Sequence, residues 1–126
     1  MKAVGLDRPI PQALMEYTLF LDDERWPSEN LKGSLVICRN ADAFRSTIEG
    51  LGYPSMIHFD NDLGPGDEGR HCAKWLMTRI IDRHQSLGLP IPTIDYAVHS
   101  QNPVGSMEIA GFMNDIERYR SEHSDR

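Results

Sequence analysis

No stretch of this sequence stays apolar over the roughly 20 residues a bilayer demands. The opening, Met1 to Tyr17, also lacks the charged-then-apolar plan of a secretion signal, so the expected location is cytoplasmic, with no membrane partner. A basic excess is missing too: 13 Lys and Arg are scattered among 19 Asp and Glu. Phosphate backbones need clustered cations, so an extended nucleic-acid surface is excluded. Cysteine is scarce. Cys38 and Cys72 have neither zinc-site spacing nor a disulfide framework around them and read as reduced core residues. Internal repeats and low-complexity segments are absent as well.

What is present suffices for one core. A chain of 126 residues, 40% hydrophobic and 25% charged, has the size and composition of a single globular domain. Apolar runs at Thr18 to Leu21, Ser34 to Cys38, Met56 to Phe59 and Thr93 to Val98 read as buried strands. Between them lie helical patterns. Asn40 caps a helix carrying Phe44, Ile48 and Leu51, which Gly50, Gly52 and Pro54 close. A second helix runs from Glu68 with Cys72, Ala73, Leu76, Met77, Ile80 and Ile81 on its core stripe and ends near Gly88 and Pro90. Asn102 and Pro103 open a third, marked by Ile109, Phe112, Met113 and Ile116.

Strands alternating with helices require parallel crossovers, hence a layered α/β sheet. The expected fold is a flavodoxin- or receiver-like three-layer sandwich with a truncated parallel sheet in the order 2-1-3-4 and helices on both faces. The expected organisation is an amino-terminal arm over residues 1–17, with Pro9 and Pro11, an α/β domain over 18–120 and a fraying tail over 121–126.

Ligands of open α/β sheets bind beyond the carboxyl ends of the strands, and the polar residues fall there. Asp22, Asp23 and Arg25 follow the first strand, Asp60 and Asp62 the third, and His99, Ser100 and Asn102 the fourth. An aspartate pair after a strand often only makes a turn. Its recurrence on a neighbouring strand points to a site, because crowded carboxylates need a cation or basic partners to offset their repulsion. Oxygen ligands favour Mg2+ or Mn2+, with Ca2+ also compatible. Asp22, Asp23, Asp60 and Asp62 are therefore candidate metal ligands. Arg25, Ser100 and Asn102 are candidate phosphate contacts, through a guanidinium fork and the amino end of the last helix. His99 is a candidate proton donor, or a loop hydrogen-bonding residue.

The bland readings cover the rest. His58 reads as structural, His71, His84 and His123 as surface residues, and Trp26 and Trp75 as packing residues, with Trp26-Pro27 able to fix the loop carrying Arg25. Arg70 and Lys74, one turn apart, read as a solvated helix face that lies within reach of a phosphate.

The segments Leu19-Phe20-Leu21-Asp22-Asp23-Glu24-Arg25, His58-Phe59-Asp60-Asn61-Asp62-Leu63-Gly64 and Val98-His99-Ser100-Gln101-Asn102-Pro103-Val104-Gly105 together resemble the cyclic-phosphate-processing receiver-like family, over roughly Thr18 to Tyr119. That family resembles response-regulator receivers, whose acidic pair after the first strand and Asp after the third bind magnesium. Asp22, Asp23 and Asp60 match those positions. Two features depart from ordinary receivers: His99-Ser100 stands where a lone Thr or Ser is usual, and no fifth strand with its lysine follows before Arg126.

The resemblance implies processing of a cyclic phosphate on a nucleotide-derived or RNA-related small molecule. Metal-dependent hydrolysis with catalytic His99, Asp60 and Arg25 is the leading expectation. A signalling module phosphorylated on Asp60, or a non-catalytic binder of a nucleotide or a protein, are the competing ones. Nothing in the sequence reports the oligomeric state.

Overall fold

The structure is a computed structural model and describes residues 16–27, 33–63 and 68–123. Four strands, β1 (Tyr17–Leu21), β2 (Ser34–Cys38), β3 (Met56–Phe59) and β4 (Asp95–Val98), form one parallel sheet in the order β2-β1-β3-β4. The expected strand order holds. The described residues also form three helices: α1 (Ala41–Leu51), α2 (Gly69–Leu87) and α3 (Pro103–His123). The Asn40 side chain accepts from the Ala43 amide at 2.8 Å, and Gly52, at φ 90°, closes α1 with its amide on the Ile48 carbonyl. Glu68 and His71 form a reciprocal capping box on α2.

The steps from β2 to β3 and from β3 to β4 run in the same direction across the sheet, so right-handed crossovers put α1 and α2 on the same face. Helix α3 packs against α2. Helices were expected on both faces; among the described residues they cover one. The reason lies in the link from β1 to β2, whose described part, 22–27, contains no helix. The core occupies the covered face. Leu19, Leu21, Ile57 and Phe59 alternate out of the central strands to meet Phe44 and Ile48 of α1, Cys72, Leu76 and Ile80 of α2, and Ile109, Met113 and Ile116 of α3.

Several boundaries move for physical reasons. β4 starts at Asp95 rather than Thr93, because its partner β3 begins only at Met56, opposite Asp95. β1 gains Tyr17, whose hydroxyl donates to the Gly52 carbonyl at 2.6 Å. β2 is not a buried strand: among the described residues it has one neighbour and forms the sheet edge, exposed at Ser34 and Leu35 and buried only at Cys38. The residues 121–123 expected to fray are helical, held where His123 Nδ1 bonds the Tyr119 carbonyl at 2.9 Å. Residues 1–15 of the expected arm, residues 64–67 and residues 124–126 of the expected tail lie outside the described residues.

The amino ends of α2 and α3 come unusually close to the segment after β3. A Cβ on Gly69 would stand 2.2 Å from the Asp60 carbonyl oxygen, and one on Gly105 would stand 2.4 Å from Asn61 Nδ2. Gly111 of α3 faces open space. Gly69→Ala is expected to destabilise the fold by about 1–3 kcal/mol through overpacking against rigid backbone. Gly111→Ala should stabilise it by about 0.5–1 kcal/mol, the ordinary helix preference for alanine over glycine. Urea unfolding of the two variants checks the opposite signs.

Candidate functional site

Register builds the site. Leu21, Cys38, Phe59 and Val98 lie in one row across the sheet, so the residues that follow them, Asp22, Arg39, Asp60 and His99, form the next row at the carboxyl edge. The ladder continues through that row: Asp22 N–H donates to the Cys38 carbonyl (3.1 Å), Asp60 N–H to Leu21 (2.9 Å) and His99 N–H to Phe59 (2.7 Å). Each functional backbone is thus fixed by sheet hydrogen bonds although its side chain projects beyond the sheet.

One carboxylate oxygen from each of Asp22, Asp23 and Asp60 lies within 4.8 Å of the others. Asp22 and Asp60 are buried, at 1% and 4% exposure, and Asp23 is more open. Burial pushes the Asp60 carboxyl above its ordinary range, and the charges of Asp22 and Asp23 add to the rise; the Asp62 amide and Arg25 oppose it. Asp62 is not part of this threesome. Its amide donates to Asp60 Oδ1 at 3.3 Å, while its exposed side chain lines the adjacent cleft. That cleft measures about 370 Å³ and is bounded by Asp23, Glu24, Arg25, Asp60, Asp62 and Gln101.

Arg25 lies across the cluster. Its Nε stands 3.2 Å from Asp22 Oδ2, and its Nη2 3.7 Å from Asp60 Oδ1 and 3.4 Å from the His99 carbonyl oxygen. The Asp22 side chain in turn accepts from the Glu24 and Arg25 amides at 3.1 and 2.8 Å, which winds the loop back over the strand end. The guanidinium partly neutralises the carboxylates, yet with its side chain 57% exposed it keeps an open edge toward the cleft.

Arg39 is the residue that sequence reasoning passed over. Its Nη1 donates to the Asp22 carbonyl at 3.0 Å and to the Arg25 carbonyl, and its guanidinium stacks 4.7 Å over Trp26. Its position after β2, matching the aspartates after β1 and β3, was the signal available. Trp26, expected to pack, is 75% exposed; it holds the loop through Arg39 instead.

At the other end of the row, His99 Nε2 and His58 Nδ1 are 2.8 Å apart, with the two rings nearly parallel. His58 is a half-buried partner of His99, and burial together with the neighbouring imidazole pushes its pKa down. Ser100 Oγ accepts from the Asn102 amide at 3.1 Å, and Asn102 Oδ1 accepts from the Val104 and Gly105 amides at 3.0 and 3.1 Å. Those two amides at the start of α3, candidates for phosphate binding, are satisfied by their own cap. Arg70 lies on a partly exposed helix face, as expected, and there bonds Glu68 at 2.8 Å and Glu108 at 2.7 Å, tying α2 to α3. Lys74 is exposed. Asn61, fully buried between these helix starts, accepts from the Arg70 amide through Oδ1 at 3.2 Å, while its Nδ2 has no partner among the described residues.

Comparison with known proteins sets these features in a family. No curated protein matches the chain. One solved chain, a yeast Spc42 trimeric coiled-coil segment fused to another structure, superposes with a TM-score of 0.49 at 18% identity, over 77% of this chain. The chain spans 61% of that solved chain's length. No described helix is long and apolar enough to cross a membrane. The family model described as the cyclic-phosphate processing receiver domain matches residues 17–115, from β1 into α3 and across every residue of the acidic row, and the chain belongs to that family.

Proposed function

We propose that this protein hydrolyses a cyclic phosphate on a nucleotide-derived or RNA-related small molecule, with a divalent cation held by Asp22, Asp23 and Asp60. The observation that carries the reading is the meeting of three carboxylates from two strand ends within 4.8 Å, two of them buried, beside a half-open arginine. The donor set is all oxygen and fits magnesium or manganese better than a softer ion, with calcium compatible. When bound, the cation supplies Lewis acidity and charge compensation for the phosphoryl group.

The chain's own residues have separable tasks. Asp22 and Asp60 are backbone-anchored and set the place of the charge, whereas Asp23 and Asp62, nearer solvent, adapt to the ligand. Arg25 turns its open edge to a phosphoryl oxygen, trading one anionic partner for another. Hydrolysis bonds a water oxygen to phosphorus, breaks one ring ester bond and needs a proton on the oxygen released. His99 is the donor. Its Nε2 is engaged by His58, so Nδ1 is the nitrogen directed to the leaving oxygen, and His58 selects the tautomer. Ser100 and Asn102 shape the turn that presents His99 and the start of α3.

Mg2+ or Mn2+ is expected to stabilise the native state by about 2.7 kcal/mol at a hundredfold excess over Kd. Asp60→Asn should remove most of that shift and, without metal, should melt above the wild type at pH 7. The sign follows from the raised Asp60 pKa: the folded state holds this proton more tightly than the unfolded one, so its contribution is present at low pH and lost as pH rises through the raised value. The difference between the two proteins should therefore close in acid. Melting curves against pH, with and without metal, decide it; no metal response in the wild type at millimolar Mg2+ or Mn2+ would sink the cation site.

His99→Ala should leave that metal response intact while lowering turnover of a cyclic phosphate by roughly 10²- to 10⁴-fold. A substrate whose leaving group needs no proton should escape much of the loss. Undiminished turnover of a poor leaving group by the variant would remove His99 from the mechanism.

A further inference from the structure

A pair of neighbouring imidazoles lies at the opposite end of the helices. His84 stands in the last turn of α2 and His123 in the last turn of α3, with ring centroids 5.5 Å apart and planes at 70°. Both rings are oriented by one residue: His84 Nδ1 bonds the Tyr119 hydroxyl at 2.8 Å, and His123 Nδ1 donates to the Tyr119 carbonyl at 2.9 Å. Tyr119 also stacks on His123, with centroids 3.9 Å apart. Each imidazole therefore has Nε2 left for a ligand. A histidine that donates Nδ1–H to a carbonyl and coordinates through Nε2 is the usual arrangement at protein metal sites.

The spacing fits one ion. With metal–nitrogen bonds of about 2.0–2.1 Å and tetrahedral angles, two coordinated imidazoles have ring centres roughly 5 Å apart. Both rings also border one cavity of about 290 Å³, together with Gly88, Leu89, Pro90 and Arg120. Arg120, the one Lys or Arg among the described residues lining it, is neutralised by Glu117, which accepts from its Nε at 3.0 Å. We infer that His84 and His123 form a two-imidazole site for a borderline divalent cation of the zinc, nickel or copper class, clipping the carboxyl ends of α2 and α3 together. Nitrogen donors set its preference apart from the all-oxygen cluster at the strand ends, and water completes the coordination. The site stands independently of the proposed hydrolysis.

The test uses the full chain. Zn2+ should raise the melting temperature at concentrations where Mg2+ has no effect, and His84→Gln and His123→Gln should each weaken Zn2+ binding by at least about tenfold, no less than the loss of an outer-shell partner. Bound Cu2+ should show an electron paramagnetic resonance spectrum split by two nitrogens in the wild type and by fewer in each variant. His99→Ala should change neither readout. His123 is exposed at a helix end, so that variant retains its fold, which its metal-free melting curve verifies. Equal Zn2+ affinity in the wild type and both glutamine variants, a wild-type copper spectrum without two-nitrogen splitting, or loss of binding in His99→Ala would overturn the site.

Discussion

The constraint on which the rest depends is the common register of four parallel strands. Because Leu21, Cys38, Phe59 and Val98 share one row, the next residue of every strand is delivered to the same edge with its amide or side chain in a defined place. A slip of one residue between β1 and β3 would turn an aspartate toward the core and a leucine or phenylalanine toward the cleft. The buried alternation of Leu19, Leu21, Ile57 and Phe59 opposes such a slip. Precision at the acidic row is thus a by-product of hydrophobic packing two or three residues away.

The same register gathers charge that would not gather on its own. Three carboxylates at one edge repel, and two have lost much of their water. Arg25 offsets this by direct contact, whereas Arg39 acts on the backbone, holding the Asp22 and Arg25 carbonyls so that the loop cannot swing away. The two arginines are not equivalent. One faces the acidic cleft with an open edge; the other is locked between two carbonyls and an indole.

Much of this was legible in the sequence because apolar runs ended in aspartates or histidine more than once, and repetition on separate segments is hard to produce by turn chemistry alone. Asp22, Asp23, Asp60 and His99 were legible for that reason, as were the Asn40 and Asn102 caps and the strand order. Arg39 was not, since a single arginine after a strand looks like a solvated end and its partners are backbone atoms with no sequence signature. The pairing of His58 with His99 was equally hidden, because it depends on a diagonal contact 41 residues apart. The one-sided helical cover of the described residues was not foreseen, because the described part of the link between β1 and β2, 22–27, carries no helix where the strand-helix alternation led one to expect it.

Asn61 carries a consequence of a different kind. It is pinched between the first turns of α2 and α3, with the Gly105 backbone against its amide and the Arg70 amide on its oxygen, one residue from Asp60. Close-packed matter of this sort has almost no slack. In mechanical terms the two longest helices rest on a single bearing, and that bearing is joined by one peptide bond to Asp60. The place of the Asp60 carboxylate is thus set by how the first turns of α2 and α3 seat on Asn61, as well as by the sheet.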